Sequence, residues 1–385
     1  MHTRHRIGLL AGLVLLLAGP GGRARPARAG AATCGTAWTV VSSPNAGSVD
    51  DELRGVGAAS ATDAWAVGSS VDAATRKTRT LTQRWDGSAW TVLPSPNRAS
   101  NANVLRATVA ISGSDVWAVG ASTTPVHVSN TLTEHWDGSA WKIVPSADAG
   151  GPANGGLWGV AASSARDVWA VGSYANGPDR TLIEHWNGSR WTLVPSPNVG
   201  ASPNRLLAVA AVGPNDVWAV GNFGEEGLEQ TLVEHWNGSA WTVVPSPNVG
   251  ADNNRLKAVT AVSANDVWAV GYAGLGTLVE HWDGATWRVV ASPNPSSIAD
   301  LAGIAAVSAT DVWAVGGYLD QTALVLRTLV EHWNGERWDV IASPNVPPSD
   351  NRLNAVAALA AGQLAVGSYF SELGPVQTLI EQRCS

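Results

Sequence analysis

The chain has 385 residues, among them 41 glycines, 20 tryptophans and only two cysteines. Its formal net charge is −7, and a surface of that sign repels phosphate backbones and anionic lipid, so nucleic acid and membrane surfaces are excluded as expected partners. After an N-terminal apolar run, no further segment approaches the length of a membrane-spanning helix, and we expect no membrane insertion.

The N-terminus has the pattern of a secretory signal peptide. Basic residues open the chain, an apolar run extends from Ile7 to Ala18, and an Ala-x-Ala sequence ends at Ala29. The apolar run is too short to span a bilayer, so we predict that residues 1–29 are removed and that residues 30–385 are secreted. The removed segment holds five arginines and no acid, which leaves 24 − 5 = 19 basic against 31 acidic residues and a net charge of −12.

One motif, D-x-W-A-V-G, organises the rest of the chain. Successive copies are separated by 52, 52, 49, 50, 45 and 51 residues. A period near fifty predicts a repeat architecture whose units stack to form one core. The copies begin at Asp63, Asp115, Asp167, Asp216, Asp266, Asp311 and, in the degenerate form G-Q-L-A-V-G, Gly362.

Each unit contains four short apolar runs, which we call A, B, C and D. In the fourth unit they cover residues 206–212, 217–221, 231–236 and 241–244. Val, Thr and Trp dominate the runs and turn residues separate them, so all four are predicted strands. An Asp-Gly or Asn-Gly pair between C and D predicts a hairpin in which both turn residues tolerate a positive φ. The pair begins at Asp86, Asp137, Asn187, Asn237, Asp283 and Asn334.

Four antiparallel strands in each unit, with no helix between them, are typical of a propeller blade. We therefore predict an all-β fold, a single seven-bladed β-propeller of four-stranded antiparallel blades. The blades are expected at residues 46–97, 98–148, 149–198, 199–248, 249–294, 295–345, and 346–385 combined with 34–45.

The two ends of the chain are predicted to share the last blade. A D-type run around Trp38 precedes the first complete unit, whereas the last unit ends in a C-type run. An N-terminal outer strand would complete that blade and close the ring. Cys34 and Cys384 both occupy the Asp/Asn position of the turn that this closure interrupts. We predict that they form a disulfide in the oxidising extracellular environment.

The tryptophans follow the repeat. Six lie in strand B, six at the end of C and seven at the start of D, and only Trp158 lies outside these columns. Such regularity favours packing between neighbouring blades over a role in ligand binding.

The motifs resemble two known repeat families. A B strand that ends in Gly, an aromatic–Asp/Asn–Gly turn and a Trp two or three residues later resemble the kelch repeat over residues 30–385, although its usual Gly-Gly doublet is kept only at Gly316-Gly317. V-W-A-V-G followed by W-T-V-V-P resembles the shorter tectonin repeat of lectin-type propellers. The resemblance implies a kelch-like or tectonin-like protein of secreted bacterial type. It leaves the function open, because such propellers include enzymes and binding modules.

The recurrent Glu-His-Trp motif is interpreted as structural. Adjacent side chains on a strand point to opposite faces, and equivalent positions in different blades lie too far apart to share one ion. We expect a half-buried, hydrogen-bonded Glu, with no metal, no cofactor and no catalytic residue. The motif pairs begin at Glu134, Glu184, Glu234, Glu280 and Glu331.

The loops divide into two faces. A-to-B and C-to-D turns are short and repeated, whereas B-to-C and D-to-A loops differ among units, so specificity is expected on the face that carries the variable loops. Aromatic rings follow the Gly of strand B there, either as a ligand-binding crescent or as caps on the core. Glu225 and Glu226, in an acidic loop, are further candidates. The rings are Tyr174, Phe223, Tyr272, Tyr318 and Tyr369.

Together these patterns favour a secreted, non-catalytic binding protein, expected to be a monomer. Its ligand would be an extracellular glycan or protein on the face with the variable loops. The alternative is a secreted carbohydrate-active hydrolase or lyase that uses carboxylates at the mouth of the central channel. The acidic loops permit this alternative, but no catalytic motif supports it.

Overall fold

The structure is a computed structural model that describes residues 35–47, 49–98, 101–126, 128–147, 155–359, 361–370 and 374–384. The predicted signal peptide, residues 1–29, and Cys34 lie outside these residues. The described part of the chain forms 28 β-strands and no helix. It therefore has no helix of the length and apolar character that crossing a membrane requires.

The strands recur in sets of four, which we call units, in the predicted order A, B, C and D. The short strand β1 (Thr39–Val40) belongs with the last unit. Unit 1 contains β2 (Asp51–Ser60), β3 (Asp63–Val71), β4 (Thr78–Trp85) and β5 (Trp90–Leu93). Unit 2 contains β6 (Ala102–Ser112), β7 (Asp115–Thr123), β8 (Ser129–Trp136) and β9 (Trp141–Ile143). Unit 3 contains β10 (Gly155–Ser164), β11 (Asp167–Ala175), β12 (Asp179–Trp186) and β13 (Trp191–Leu193).

The remaining units follow the same order. Unit 4 contains β14 (Asn204–Gly213), β15 (Asp216–Phe223), β16 (Gln230–Trp236) and β17 (Trp241–Val243). Unit 5 contains β18 (Asn254–Ser263), β19 (Asp266–Ala273), β20 (Gly276–Trp282) and β21 (Trp287–Val289). Unit 6 contains β22 (Ala299–Ser308), β23 (Asp311–Asp320), β24 (Val325–Trp333) and β25 (Trp338–Val340). Unit 7 contains β26 (Asp350–Leu359), β27 (Gly362–Phe370) and β28 (Gln377–Cys384), with β1 as its outer strand.

Hydrogen bonds join neighbouring strands within each unit in antiparallel order. Five sheets have four strands, and the sixth has eight because one parallel pair, Thr78 with Ala102, links units 1 and 2. The predicted pairing of the chain ends is observed, since Thr39 lies opposite Gln382 on β28. The backbone N–H of Cys384 donates to the carbonyl of Gly35 at 2.9 Å beside this pair. Because Cys34 is outside the described residues, the disulfide stays a prediction.

The core lies between the units. Each of seven clusters of buried side chains combines residues of two units that are neighbours in the sequence or, in one case, residues of units 1 and 7. Between units 1 and 2, the Trp65 ring lies 4.8 Å from Trp136 and 5.5 Å from Trp141. Equivalent contacts recur along the chain, so the predicted packing of the repeated tryptophans is confirmed.

The C-to-D hairpins form where the sequence predicts them, but by a different geometry. Their six glycines have φ between 90° and 96°, whereas the preceding Asp or Asn does not have a positive φ. The Asp137 side chain instead accepts hydrogen bonds from the backbone N–H groups of Ser139 at 2.9 Å and Ala140 at 3.0 Å. The expectation that both turn residues need a positive φ was therefore wrong, because the Asp or Asn acts as a hydrogen-bond acceptor.

A β-bulge interrupts every A strand at the same place. In unit 5 the register shifts between Leu256 and Ala258, so Lys257 has no residue opposite it on β19. The glycine that ends the A-V-G sequence permits this arrangement, because a Cβ on Gly271 would lie 1.8 Å from the carbonyl oxygen of Arg255. The corresponding distances in the other units are 1.9–2.0 Å. A side chain at this position would thus exclude the bulge.

Candidate functional site

The bulges direct one side chain of each unit toward a common space. All seven line a single cavity of about 590 Å³, which we call the mouth. The mouth opens where the A strands begin and the B strands end, on the face that carries the variable loops. A cavity of this volume is suitable for a ligand. The bulged residues are Arg54, Arg106, Trp158, Leu207, Lys257, Ala302 and Asn354.

The sequence-based candidates did not include these seven positions. Every A strand keeps the frame x-L-x-A/G-V/I/T, and only the two x positions vary freely. The second x is the bulged residue. Trp158, the one tryptophan outside the repeated columns, occupies it in unit 3. The variable position and the isolated tryptophan are both visible in the sequence. Neither of them indicates the bulge that turns the second x toward the mouth.

Charged side chains surround the mouth. Four carboxylates lie in or beside it, at Glu52, Asp179, Glu229 and Asp300. With six cations the local balance is 6 − 4 = +2, opposite in sign to the −7 of the whole chain. The cations are Arg54, Arg106, Arg205, Arg255, Lys257 and Arg352.

Most of these charges form ion pairs. Arg54 pairs with Glu52 at 2.6 Å, and Arg205 pairs with Asp179 at 2.6 Å. In each pair the cation lies on an A strand, where it can reach both the mouth and its carboxylate.

Asp300 forms ion pairs with two cations at once. Its Oδ2 lies 2.5 Å from Lys257 Nζ and 2.5 Å from Arg352 Nη2. Burial alone would raise the pKa of Asp300, but Arg352 and Lys257 outweigh burial and hold the pKa below its usual value. Burial lowers the pKa of Lys257, and the nearby Arg352 and Arg255 lower it further, against the attraction of Asp300.

The aromatic candidates do not share one side of strand B. Tyr174, Phe223, Tyr318 and Tyr369 stand two residues after the glycine of A-V-G (Gly316 in unit 6), and all four pack against core clusters between units. Tyr272 stands one residue after it, and alternation along a strand turns it the other way. Its ring centroid lies 5.0 Å from Lys257 Nζ at the mouth. Of the five rings, only that of Tyr272 lies beside cations at the mouth, and Tyr272 and Tyr318 both line a smaller groove next to it. Ligand binding by the five rings stays a prediction.

The acidic candidates separate in a similar way. Glu225 and Glu226 are exposed in the loop between β15 and β16, and neither lines the mouth. Glu229, at the end of that loop, is buried, pairs with Arg255 and accepts a hydrogen bond from Asn222 Nδ2 at 3.1 Å. Ligand binding by Glu225 and Glu226 stays a prediction.

The repeated Glu-His pairs lie away from the mouth. His135 Nε2 is 2.8 Å from Asp115 Oδ1, and its ring packs against Trp117. The expectation of a half-buried Glu was wrong, because each motif Glu is fully buried. Burial raises the pKa of Glu134 and Glu280 to about 8. These residues are buried in the sheet and do not reach the ligand-accessible cavity.

No protein-family model and no curated protein matches the chain. Solved structures match it in architecture. YCF48 bound to a D1 peptide is 14% identical, with a TM-score of 0.55 over 90% of this chain and 97% of that one. The RRP9 WD40 repeats are 10% identical, with a TM-score of 0.59 over 91% of this chain and 99% of theirs.

The fold is a β-propeller. A polysaccharide lyase, ulvan lyase, is also similar, at 10% identity and a TM-score of 0.51 over 88% of this chain and 95% of the lyase. At these identities the likeness shows the fold alone. The propeller neighbours include both binding proteins and an enzyme, and the kelch-like or tectonin-like type stays a prediction.

Proposed function

We propose that the seven units are the blades of a closed seven-bladed propeller, secreted after removal of residues 1–29. Closure is supported by the core cluster that combines Leu53 of unit 1 with Leu364 and Ile380 of unit 7. We also propose the Cys34–Cys384 disulfide at this junction. Non-reducing peptide mapping should recover the two cysteines as a linked pair, and recovery of Cys384 as a free thiol would contradict this.

We propose that the protein is a non-catalytic binding module, and that its ligand is a segment of a protein partner held in the mouth. One observation carries this proposal: seven bulged side chains, nearly all different, converge on one cavity of about 590 Å³. A rigid scaffold with variable residues at one opening is an arrangement suited to selective binding. The YCF48 propeller, solved with a D1 peptide, is an example of peptide binding on this fold.

A protein ligand fits the surface around the mouth better than a glycan does. Loops on this face expose aliphatic side chains, with Leu228 at 66%, Leu275 at 65% and Leu324 at 76% exposed. Such side chains gain from apolar contacts that a partner protein offers and a hydroxyl-rich sugar offers less fully. We therefore favour the protein over the glycan among the two ligand classes.

The alternative function, a hydrolase or lyase, is less well supported. It would need a carboxylate at the mouth that is available for proton transfer. Glu52, Asp179 and Asp300 are each engaged by an Arg or a Lys. A carboxylate whose oxygens are held by an Arg or a Lys is less available for proton transfer to or from a substrate.

The test blocks the mouth without disturbing the fold. A displayed library of random peptides is panned against the wild-type chain, an Ala302→Trp variant and an Ala285→Trp control. Ala302 lines the mouth, whereas Ala285 is exposed in a C-to-D turn on the opposite face. We expect binders for the wild type and for Ala285→Trp, and their loss in Ala302→Trp. Equal binding by all three proteins, or turnover of a polysaccharide in a glycosidase and lyase panel, would contradict the proposal.

A further inference from the structure

The mouth is locally positive in an acidic protein. The chain has 24 basic and 31 acidic residues, yet six cations and four carboxylates meet at this opening. Ion pairs account for most of these charges, but some of the cations lack a full counter-charge. Two places qualify, one in unit 2 and one across units 5 to 7.

Arg106 is the cation without a carboxylate. Its Nη1 donates to the carbonyl oxygen of Leu157 at 3.3 Å, and its guanidinium lies over the Trp158 ring, 3.7 Å from the centroid. Among the residues that the structure describes, no carboxylate pairs with it. A guanidinium has five N–H donors, so most of its capacity is available to a ligand. Burial, and then the nearby Arg54, lower its pKa to about 10, which means that its surroundings disfavour the positive charge.

The neighbouring glycine makes room for this side chain. Gly156 occupies the first variable position of unit 3, where units 4, 5 and 7 have Arg. A Cβ on Gly156 would lie 2.6 Å from Arg106 Nη1. The absence of a side chain here thus leaves space for the guanidinium over the Trp158 ring, where a cation–π contact helps to hold it.

A second positive excess lies in units 5 to 7. Lys257 and Arg352 share the single carboxylate of Asp300, so one of the two charges is not balanced by that carboxylate. The Tyr272 ring lies 5.0 Å from Lys257 Nζ. A carboxylate entering the mouth would therefore meet positive charge in unit 2 and again in units 5 to 7.

An apolar groove lies beside the second positive region. It has a volume of about 240 Å³ and adjoins Arg352. Its other side chains include Tyr272, Tyr318, Leu275, Ile298 and Leu326, together with the Asp300 carboxylate that Arg352 pairs with. Aliphatic walls of this kind are suited to an apolar side chain.

We infer that the mouth binds a carboxylate-bearing peptide segment, with Arg106 as the anchor for the carboxylate and the groove beside Arg352, on the other side of the opening, for an apolar side chain further along the segment. This inference rests on the proposed function, since it specifies the ligand of that same site. Positive charge selects the acid, and the aliphatic groove selects a peptide over an acidic polysaccharide. The long-range repulsion of an acidic partner by the rest of this acidic surface would be screened by salt, whereas the desolvated contact at Arg106 would be screened less.

The test uses the full chain and fluorescent synthetic peptides of about ten residues. Each set has three members: a peptide with Asp or Glu and, several residues along, Leu or Phe; the same peptide with Asn or Gln; and the same acidic peptide with Ser in place of Leu or Phe. A labelled oligogalacturonate is the glycan probe. Binding is measured by fluorescence anisotropy with the wild type, Arg106→Gln, Arg106→Lys and the control Arg288→Gln. Arg288 lies on the outer strand β21, away from the mouth, and its side chain is 72% exposed.

We expect the acidic, apolar-flanked peptides to bind about tenfold or more tightly than their Asn or Gln analogues. Arg106→Gln should remove most of that preference, because only the positive charge of units 5 to 7 remains, Arg106→Lys should reduce it less, and Arg288→Gln should leave it unchanged. Melting curves identify any variant that fails to fold, and Arg106→Lys then supplies the comparison.

Three results would overturn the inference. If acidic and amide peptides bind equally well and both lose binding in Ala302→Trp, the carboxylate is not required, but the proposed function stands. Binding of oligogalacturonate without binding of any peptide would replace the peptide by an acidic glycan. Absence of binding by every probe would remove both the inference and the proposed function.

Discussion

The short turns and the bulged side chains at the mouth differ in how often each side-chain contact occurs. On the face with the short turns, the same contacts recur from unit to unit: the Trp136 indole N–H donates to the Gly113 carbonyl at 3.2 Å, and that of Trp236 donates to the Pro214 carbonyl at 3.2 Å. At the mouth, the contact of Arg106 with Trp158 occurs once. A contact that recurs in successive units stabilises the repeat itself. A residue that breaks the pattern contributes less to the repeat and is available for a ligand.

The tryptophans give the sharpest test of this difference. Trp218 is buried between units 4 and 5, with its ring 5.0 Å from Trp282 and 5.5 Å from Trp287, whereas Trp158 is 38% exposed at the mouth. We expect Trp218→Ala to lower the free energy of unfolding by about 4 kcal/mol, because it leaves a large cavity. Trp158→Ala should lower it by about 1 kcal/mol or less. Equal losses in denaturant titrations would refute the distinction between repeated and unique tryptophans.

The bulge that creates the mouth can be broken at its glycine. In Gly221→Ala the new Cβ would meet the Arg205 carbonyl oxygen at 1.9 Å, and backbone cannot yield as a side chain does. We expect a loss of about 3 kcal/mol in the free energy of unfolding. In the same unit, a Cβ on Gly213 would meet nothing within 4 Å, so Gly213→Ala should change stability by no more than about 0.5 kcal/mol. Tolerance of both changes would contradict the proposed role of the close contact.

The buried glutamates predict an unusual pH dependence. Burial raises the folded-state pKa of Glu280 from 4.5 to about 8, so its favourable contribution is present below pH 4.5 and is lost as the pH rises through 8. Glu280→Gln should therefore raise the free energy of unfolding by about 2 kcal/mol at pH 8 and change it little near pH 4.5.

Unit 1 supplies the reciprocal control for the glutamates. It has Gln83 in this column, and the Gln83 amide donates to the Pro44 carbonyl at 2.9 Å. Gln83→Glu should destabilise the protein at pH 8 and have little effect at low pH, for the same reason. If the free energies of unfolding of the wild type and both variants change with pH in the same way across this range, the raised pKa of the buried glutamates is refuted.

The aromatic residues separate stability from binding on the loop-bearing face. Phe223 packs against the core between units 3 and 4, so Phe223→Ala should lower the free energy of unfolding by about 2 kcal/mol. Tyr272 lies beside Lys257 at the mouth, so Tyr272→Ala should leave stability nearly unchanged and weaken peptide binding by about 1 kcal/mol. Thermal melts and anisotropy titrations measure the two effects. If both variants lose binding and keep their stability, the rings form the ligand-binding crescent instead of caps on the core.

The sequence by itself determined the elements of the repeat. Period, strand type, hairpin positions and the pairing of the chain ends depend on local patterns: alternating apolar residues, Asp/Asn-Gly pairs, and an unpaired D strand at Trp38. Each of these patterns is visible in a few residues or in their recurrence along the chain, so it can be identified without the fold. The separation of Tyr272 from the other rings was also present in the sequence, because it stands one residue after the glycine and they stand two.

Only the tertiary structure decided where the candidate binding site lies. The bulge at Lys257 is possible because Gly271, on the neighbouring strand, has no side chain and the Arg255 carbonyl oxygen can approach it closely. No local sequence pattern predicts this close approach. Likewise, Asp300 meets Lys257 and Arg352, 43 and 52 residues away along the chain, only because adjacent A strands surround one opening. A local pattern specifies a strand, but the charge and shape of the mouth depend on which distant strands come together.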